Sequence, residues 1–136
     1  MTLNAYLHFP GTCREAFAFY EKVLRGRIEL TMTYGEAPGP NPHPAELNDW
    51  IIHTRLVCGD QVLMGSDAPP AMQEEMKGCT ISIGVDTPAE AERIYGELSA
   101  GGTIRMPLAE TFWAQRFGMF VDRFGVPWMV NCEKPR

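Results

Sequence analysis

An internal repeat sets the tightest limit on what this chain can fold into. Glu15-Ala16, Phe19-Tyr20, Val23 and Gly26 recur as Glu90-Ala91, Ile94-Tyr95, Leu98 and Gly101, at a constant offset of 75 residues (90 − 15, 95 − 20, 101 − 26). Each copy reads strand, helix, glycine, strand. A module of this size yields a four-stranded sheet with one helix-covered face. Its other face has to be buried by the second module or by another subunit. Two such modules are expected to share a cleft lined by matching strand positions.

The local signals place the elements. Ala5 to Phe9 is short, apolar and aromatic-rich, hence a strand stopped by Pro10-Gly11. Thr12 is the expected N-cap, with Glu15 completing a capping box. Ala16, Phe19, Tyr20, Val23 and Leu24 then keep helical spacing, and Gly26 fits the C′ position. Ile28 to Tyr34 alternates as a half-buried strand. Gly35 to Asp49, rich in proline, is a long excursion with little regular structure. Trp50–Val57 and Gln61–Met64 form a hairpin across Cys58-Gly59-Asp60.

In the second copy Cys79–Val85 is the opening strand. Asp86 or Thr87 caps the helix, and Pro88 suits its first position. Thr103–Met106 is a strand broken at Pro107. Phe112–Val121 and Val126–Cys132 form the closing hairpin, with Pro127 expected at an edge or bulge. The fold class is therefore α+β: two tandem βαβββ modules, 1–67 and 78–136, joined by a linker over 68–77, their mixed sheets curled around a cavity in one domain of 136 residues.

Composition removes several function classes. The net charge of −5, with no basic run, argues against a nucleic-acid partner. No run approaches the roughly 18–20 apolar residues of a membrane span. Cys13, Cys58, Cys79 and Cys132 form no CxxC pair, so zinc-ribbon and thioredoxin readings are poor. Buried reduced thiols and the lack of a signal-like N-terminus make the cytoplasm the expected compartment.

The residues also carry a resemblance. Tyr6-Leu7-His8-Phe9, the Glu15-Ala16…Phe19-Tyr20 helix, Glu110-Thr111-Phe112-Trp113-Ala114 and Asp122-Arg123-Phe124-Gly125-Val126-Pro127-Trp128 resemble PhnB-like proteins. These belong to the glyoxalase / bleomycin-resistance / extradiol dioxygenase group, the vicinal oxygen chelate superfamily. The resemblance implies paired βαβββ modules and a homodimer. It further implies, for metal-dependent members, one ligand on the first and one on the last strand of each module. Those positions fall near Ala5, Met64, Thr80 and Met129, a set that makes no plausible Zn, Ni or Fe(II) site. A methyltransferase label carried by some such proteins finds no Gly-rich nucleotide-binding turn here.

The candidate site residues follow. His53, on a strand with Ile51 and Arg55 as its expected same-face partners, and Glu110, beside two aromatics, are the candidate catalytic bases. Met64, Met129, Trp113, Phe112, Arg116 and Trp128 are the candidate substrate-binding residues, a greasy and adaptable lining. Glu110 can equally cap a turn or pair with Arg116. His8, without partners, reads as a polar strand residue, and Asp67 and Asp122 as turn-formers. No metal and no cofactor is expected. The leading reading is a homodimeric binder of a small, partly apolar molecule, with proton abstraction next to a carbonyl as the simplest chemistry if it is an enzyme. A metal-dependent lyase or dioxygenase of the same superfamily is the second reading. A drug-sequestering resistance protein is the third.

Overall fold

The switch from alternating to helical periodicity at Pro10-Gly11 and again at Asp86-Thr87 appears twice in a computed structural model, which describes residues 1–40 and 42–135. The chain divides into two compact units, Met1–Glu74 and Glu75–Arg136. Unit 1 runs β1 (Ala5–Phe9), α1 (Cys13–Val23), β2 (Arg27–Thr33), β3 (Ile51–Cys58) and β4 (Gln61–Asp67), with short 3-10 turns at Ala45–Leu47 and Pro70–Met72. Unit 2 runs β5 (Ile81–Gly84), α2 (Pro88–Ser99), β6 (Thr103–Ala109), β7 (Ala114–Val121) and β8 (Pro127–Glu133). The two sheets share one topology, β1-β4-β3-β2 and β5-β8-β7-β6. The first strand of each is parallel to the last, and the other pairings are antiparallel. This is the α+β pair of βαβββ modules that the repeat demands. No helix among the described residues is long and apolar enough to cross a membrane.

One sheet face per unit is closed by its helix. Phe9, Phe17 and Tyr20 make an edge-to-face aromatic cluster under α1, together with Leu7, Leu56 and Val23. A Cβ on Gly65 would stand 2.6 Å from the Phe17 ring, so this glycine is what lets the helix lie close on β4. In unit 2, Ala91, Ile94 and Leu98 of α2 and Phe120, Trp128 and Val130 of the sheet are the buried equivalents.

Several local expectations need correction. Thr12 makes no side-chain cap. Its place is taken from a distance by Asp67 at the end of β4, whose Oδ1 accepts the Gly11 and Cys13 N–H groups at 3.0 and 2.9 Å. Its Oδ2 accepts the Ile51 N–H at 2.9 Å. A turn-former by sequence is thus the clasp joining β1, α1, β3 and β4. Asp122 does form its turn, accepting the Phe124 and Val126 N–H groups at 2.8 and 3.0 Å. Thr87 caps α2 as expected, taking the Glu90 N–H on Oγ1 at 3.2 Å.

Gly26 is not the left-handed residue that ends α1. Arg25 takes that conformation at φ 54°. Gly26 follows it, its N–H reaching back to Glu21 O at 3.0 Å, as the second residue past a Schellman-type end. It must be glycine for another reason: a Cβ would stand 2.6 Å from Cys58 Sγ and 2.8 Å from Val57 O. β6 runs through Pro107 to Ala109 with an irregular ladder, as an edge strand tolerates. Pro127 is the first residue of the central strand β8, where its missing N–H interrupts nothing.

Candidate functional site

The face of each sheet away from its helix is mostly half-buried or exposed, and its residues can be read from the registers. In unit 1 one row crosses β2, β3, β4 and β1 as Leu30, Arg55, Met64, Tyr6. Further along the strands, Met32 pairs with His53 and His8 with Ser66. In unit 2 the equivalent row is Met106, Met119, Met129, Ser82, and Phe117 pairs with both Ala109 and Asn131. One topology therefore presents two different chemistries. Unit 1 offers a phenol, two imidazoles and a guanidinium. Unit 2 offers three thioethers standing opposite one another across three strands, flanked by the Phe117 ring.

The unit 1 face is organised around Tyr6. Its hydroxyl shares a 3.0 Å hydrogen bond with His53 Nδ1, and the two rings lie nearly parallel with centroids 5.7 Å apart. The His8 ring lies 5.2 Å from the Tyr6 ring, tilted to it. Arg55 Nε is 3.3 Å from Glu29 Oε1, yet it is buried and its N–H finds no acceptor in hydrogen-bond geometry. Arg55 shares the face with His53 as expected. Ile51 does not, because the β2–β3 register slips between Met32 and Thr33, and Ile51 is buried with its N–H on Asp67.

Of the candidate residues, His53 and Met64 lie on the open face of unit 1 and Met129 on that of unit 2. The others are placed differently. Trp128 is 1% exposed on the helix-covered side, its indole N–H donated to Asp122 Oδ2 at 2.9 Å. Arg116 also turns to the helix side, pairing with Glu92 at 3.2 Å and donating to Gln115 O. Glu110 does not pair with Arg116. It meets Lys134 at 3.1 Å with 66% of its side chain exposed, outside any apolar enclosure. Trp113 stands edge-on to Phe117 at 5.2 Å, and Phe112 edge-on to Trp113 at 4.8 Å. Phe112 is 88% exposed, a bare aromatic at the tip of the β6–β7 connection.

Tyr6, His8, Met106 and Met119 were not in the candidate set. Parity hid Tyr6. The 75-residue offset holds within the helices, but Tyr6 and Ser82 are the residues that pair with Met64 and Met129, an offset of 76 (82 − 6). Unit 1 has one more residue between its opening strand and its helix. Ala5 therefore falls on the helix-covered side with Leu63, and Tyr6 takes the open-face position. The ligand positions that the resemblance implies for metal-dependent members thus offer a phenol beside a thioether in unit 1 and a hydroxyl beside a thioether in unit 2. Such donors do not fit a divalent Zn, Ni or Fe. Among the described residues no three His, Cys, Asp or Glu side chains could hold an ion together.

Two modules of one strand, one helix and three strands, each with a helix-covered and an open sheet face, define the class. The chain belongs to the Glyoxalase/Bleomycin resistance protein/Dioxygenase superfamily, whose family model matches residues 2–130. It is 34% identical to Protein YjdN of Escherichia coli (strain K12), over 98% of this chain and 97% of that one. The crystal structure of protein PA1353 from Pseudomonas aeruginosa is similar at 50% identity and a TM-score of 0.90, covering 99% of each chain. A PhnB protein from Bacillus cereus, titled a putative 3-demethylubiquinone-9 3-methyltransferase, shares the fold with a TM-score of 0.79 at 23% identity, covering 97% of this chain and 99% of that one.

Proposed function

We propose that the chain binds a small, partly apolar molecule on the open faces of its sheets, without a metal at the family's ligand positions, and that it works as a cytoplasmic homodimer. The observation that carries this reading is the row Met106, Met119, Met129. Three unbranched, polarisable side chains abreast form a surface that repacks around a ligand at little cost. A folded protein rarely leaves such a row half-open unless something covers it. A partner copy covers part of such a surface in an obligate dimer, and the ligand the rest.

If the protein is an enzyme, His53 is the better base. Its Nδ1 is occupied by Tyr6, which fixes the ring, and Nε2 is left to exchange a proton with a bound carbonyl compound or alcohol. Glu110, exposed and paired with Lys134, is the weaker candidate.

The test is titration with 1-aminoanthracene, a neutral fluorophore, in the dimer state established by light scattering. Saturable enhancement that falls tenfold or more in affinity in Met119→Ser and Met129→Ser supports the reading. Absence of saturable binding, or unaltered binding in both variants, overturns it.

A further inference from the structure

We infer that the open face of unit 1 is a binding site for the anionic head of a small organic acid, its carboxylate or phosphate oxygens held by Arg55, His53, His8 and the Tyr6 hydroxyl. This rests on the ligand-binding reading and names the substrate class for that face.

The argument begins with what the face can donate. A guanidinium has five N–H donors and no acceptor, and the imidazoles and phenol add further N–H and O–H groups. The charged residue in the two rows is Arg55, paired with the Glu29 carboxylate of the neighbouring strand; the other residues of the rows are neutral or histidine. An incoming anion therefore competes with Glu29 for the Arg55 guanidinium.

The donors are also under-used. The Arg55 Nε–H is buried and makes no well-aligned hydrogen bond, although Glu29 Oε1 stands 3.3 Å away, so a better-placed oxygen would satisfy it. Among the described residues Glu29 is the only ion-pair partner of Arg55. Glu29 also lies 3.9 Å from the exposed Arg27, so it has a second cation to turn to when a ligand anion takes its place. His8 is exposed and makes no hydrogen bond among the described residues. Tyr6 and His53 share one hydrogen bond that orients both rings; with His53 Nδ1–H as its donor, the Tyr6 O–H stays available to an anion oxygen. A pre-set group of donors binds an oxyanion with little ordering cost, and charge-assisted bonds are about twice as strong as neutral ones. Leu30, Met32 and Met64 flank the donors, so the acid carries an apolar portion.

The experiment follows the Cε1–Hε1 resonances of the three histidines by NMR as inorganic phosphate, and separately butyrate, is added to the full-length protein. The expected result is a saturable shift of His8 and His53 with His43, on the Tyr34 ring, unmoved as internal control. Arg55→Gln should weaken the affinity at least tenfold, and Tyr6→Phe, which keeps the ring stack, should weaken it severalfold. Stronger binding of phosphate assigns a phosphate-type head, and stronger binding of butyrate a carboxylate with an apolar tail. Shifts that do not saturate, or that persist unweakened in both variants, overturn the assignment. Loss of anion binding to the native chain while 1-aminoanthracene still binds would sink this inference and leave the ligand-binding reading standing.

Discussion

Replacing Asp67 by Asn changes one oxygen for an amide nitrogen and leaves the volume of the side chain nearly unaltered. The carboxylate is 2% exposed and accepts three backbone N–H groups, two on Oδ1 and one on Oδ2. The best an amide can do is keep its oxygen at the Oδ1 site and turn its NH2 toward the Ile51 N–H. One charge-assisted bond is then lost, about 1.5–3 kcal/mol, and the remaining two become neutral bonds of roughly half the strength. The expected loss is about 3–6 kcal/mol out of a total stability of about 5–15 kcal/mol. Thr12→Ala is the internal comparison. A capping threonine costs about 1 kcal/mol to remove, but Thr12 makes no cap here, so the change should stay within about 0.5 kcal/mol. Urea unfolding followed by circular dichroism measures both from midpoints at equal slope. If Asp67→Asn costs under about 1 kcal/mol, or Thr12→Ala costs as much as Asp67→Asn, the assignment of the cap to Asp67 is wrong.

Gly26→Ala should destabilise by about 1–3 kcal/mol, because its Cβ meets Cys58 Sγ and the Val57 carbonyl. Arg25→Gly should stabilise by up to about 1 kcal/mol by relieving the left-handed conformation; thermal melts check both, and the reverse order of effects would contradict the Schellman-type end. Trp128→Phe should lose the Asp122 bond and about 1.5–3 kcal/mol of stability, while leaving 1-aminoanthracene affinity unchanged; a large change in affinity would put Trp128 at the ligand. With native protein, a thiol reagent should modify exposed Cys79 quickly and buried Cys13 and Cys132 only on unfolding, counted by mass spectrometry. Burial first, and the Asp67 carboxylate second, hold the Cys13 thiol above its ordinary 9.0 in the folded chain. The folded form keeps a proton that the unfolded chain releases, so stability is undiminished below pH 9 and falls as pH rises above it, with a slope approaching about 1.4 kcal/mol per pH unit from this group. Cys13→Ala should flatten that part of the curve, and an unchanged slope would refute the assignment.

The repeat, the two helices and the order of elements along each module were legible in the sequence, because each rests on short-range periodicity and on turn chemistry; the family was legible from its motifs. Ala91, Ile94 and Leu98 needed only helical spacing, and the Thr87 cap only its neighbour three residues on. The face on which a strand residue lies was a different matter. Side chains alternate every residue, so a single extra residue between β1 and α1 moved Ala5 to the covered side and brought Tyr6 to Met64. A slip in the β2–β3 ladder likewise separated Ile51 from His53. No local rule sees such slips.

The same limit governed the polar groups. Which cation Glu110 would meet, whether Trp128 would be open or tied to Asp122, and that Asp67 would cap a helix from 54 residues away were all decided by which strand ends the sheet brings together. Sequence by itself determined that this chain forms two similar modules, each with one helix-covered sheet face, since hydrophobic pattern and turns act over a few residues. Only the tertiary structure decided that one open face is a row of thioethers and the other a cluster of phenol, imidazoles and guanidinium, because pairing register, set across tens of residues, chooses the neighbours that give each side chain its chemistry.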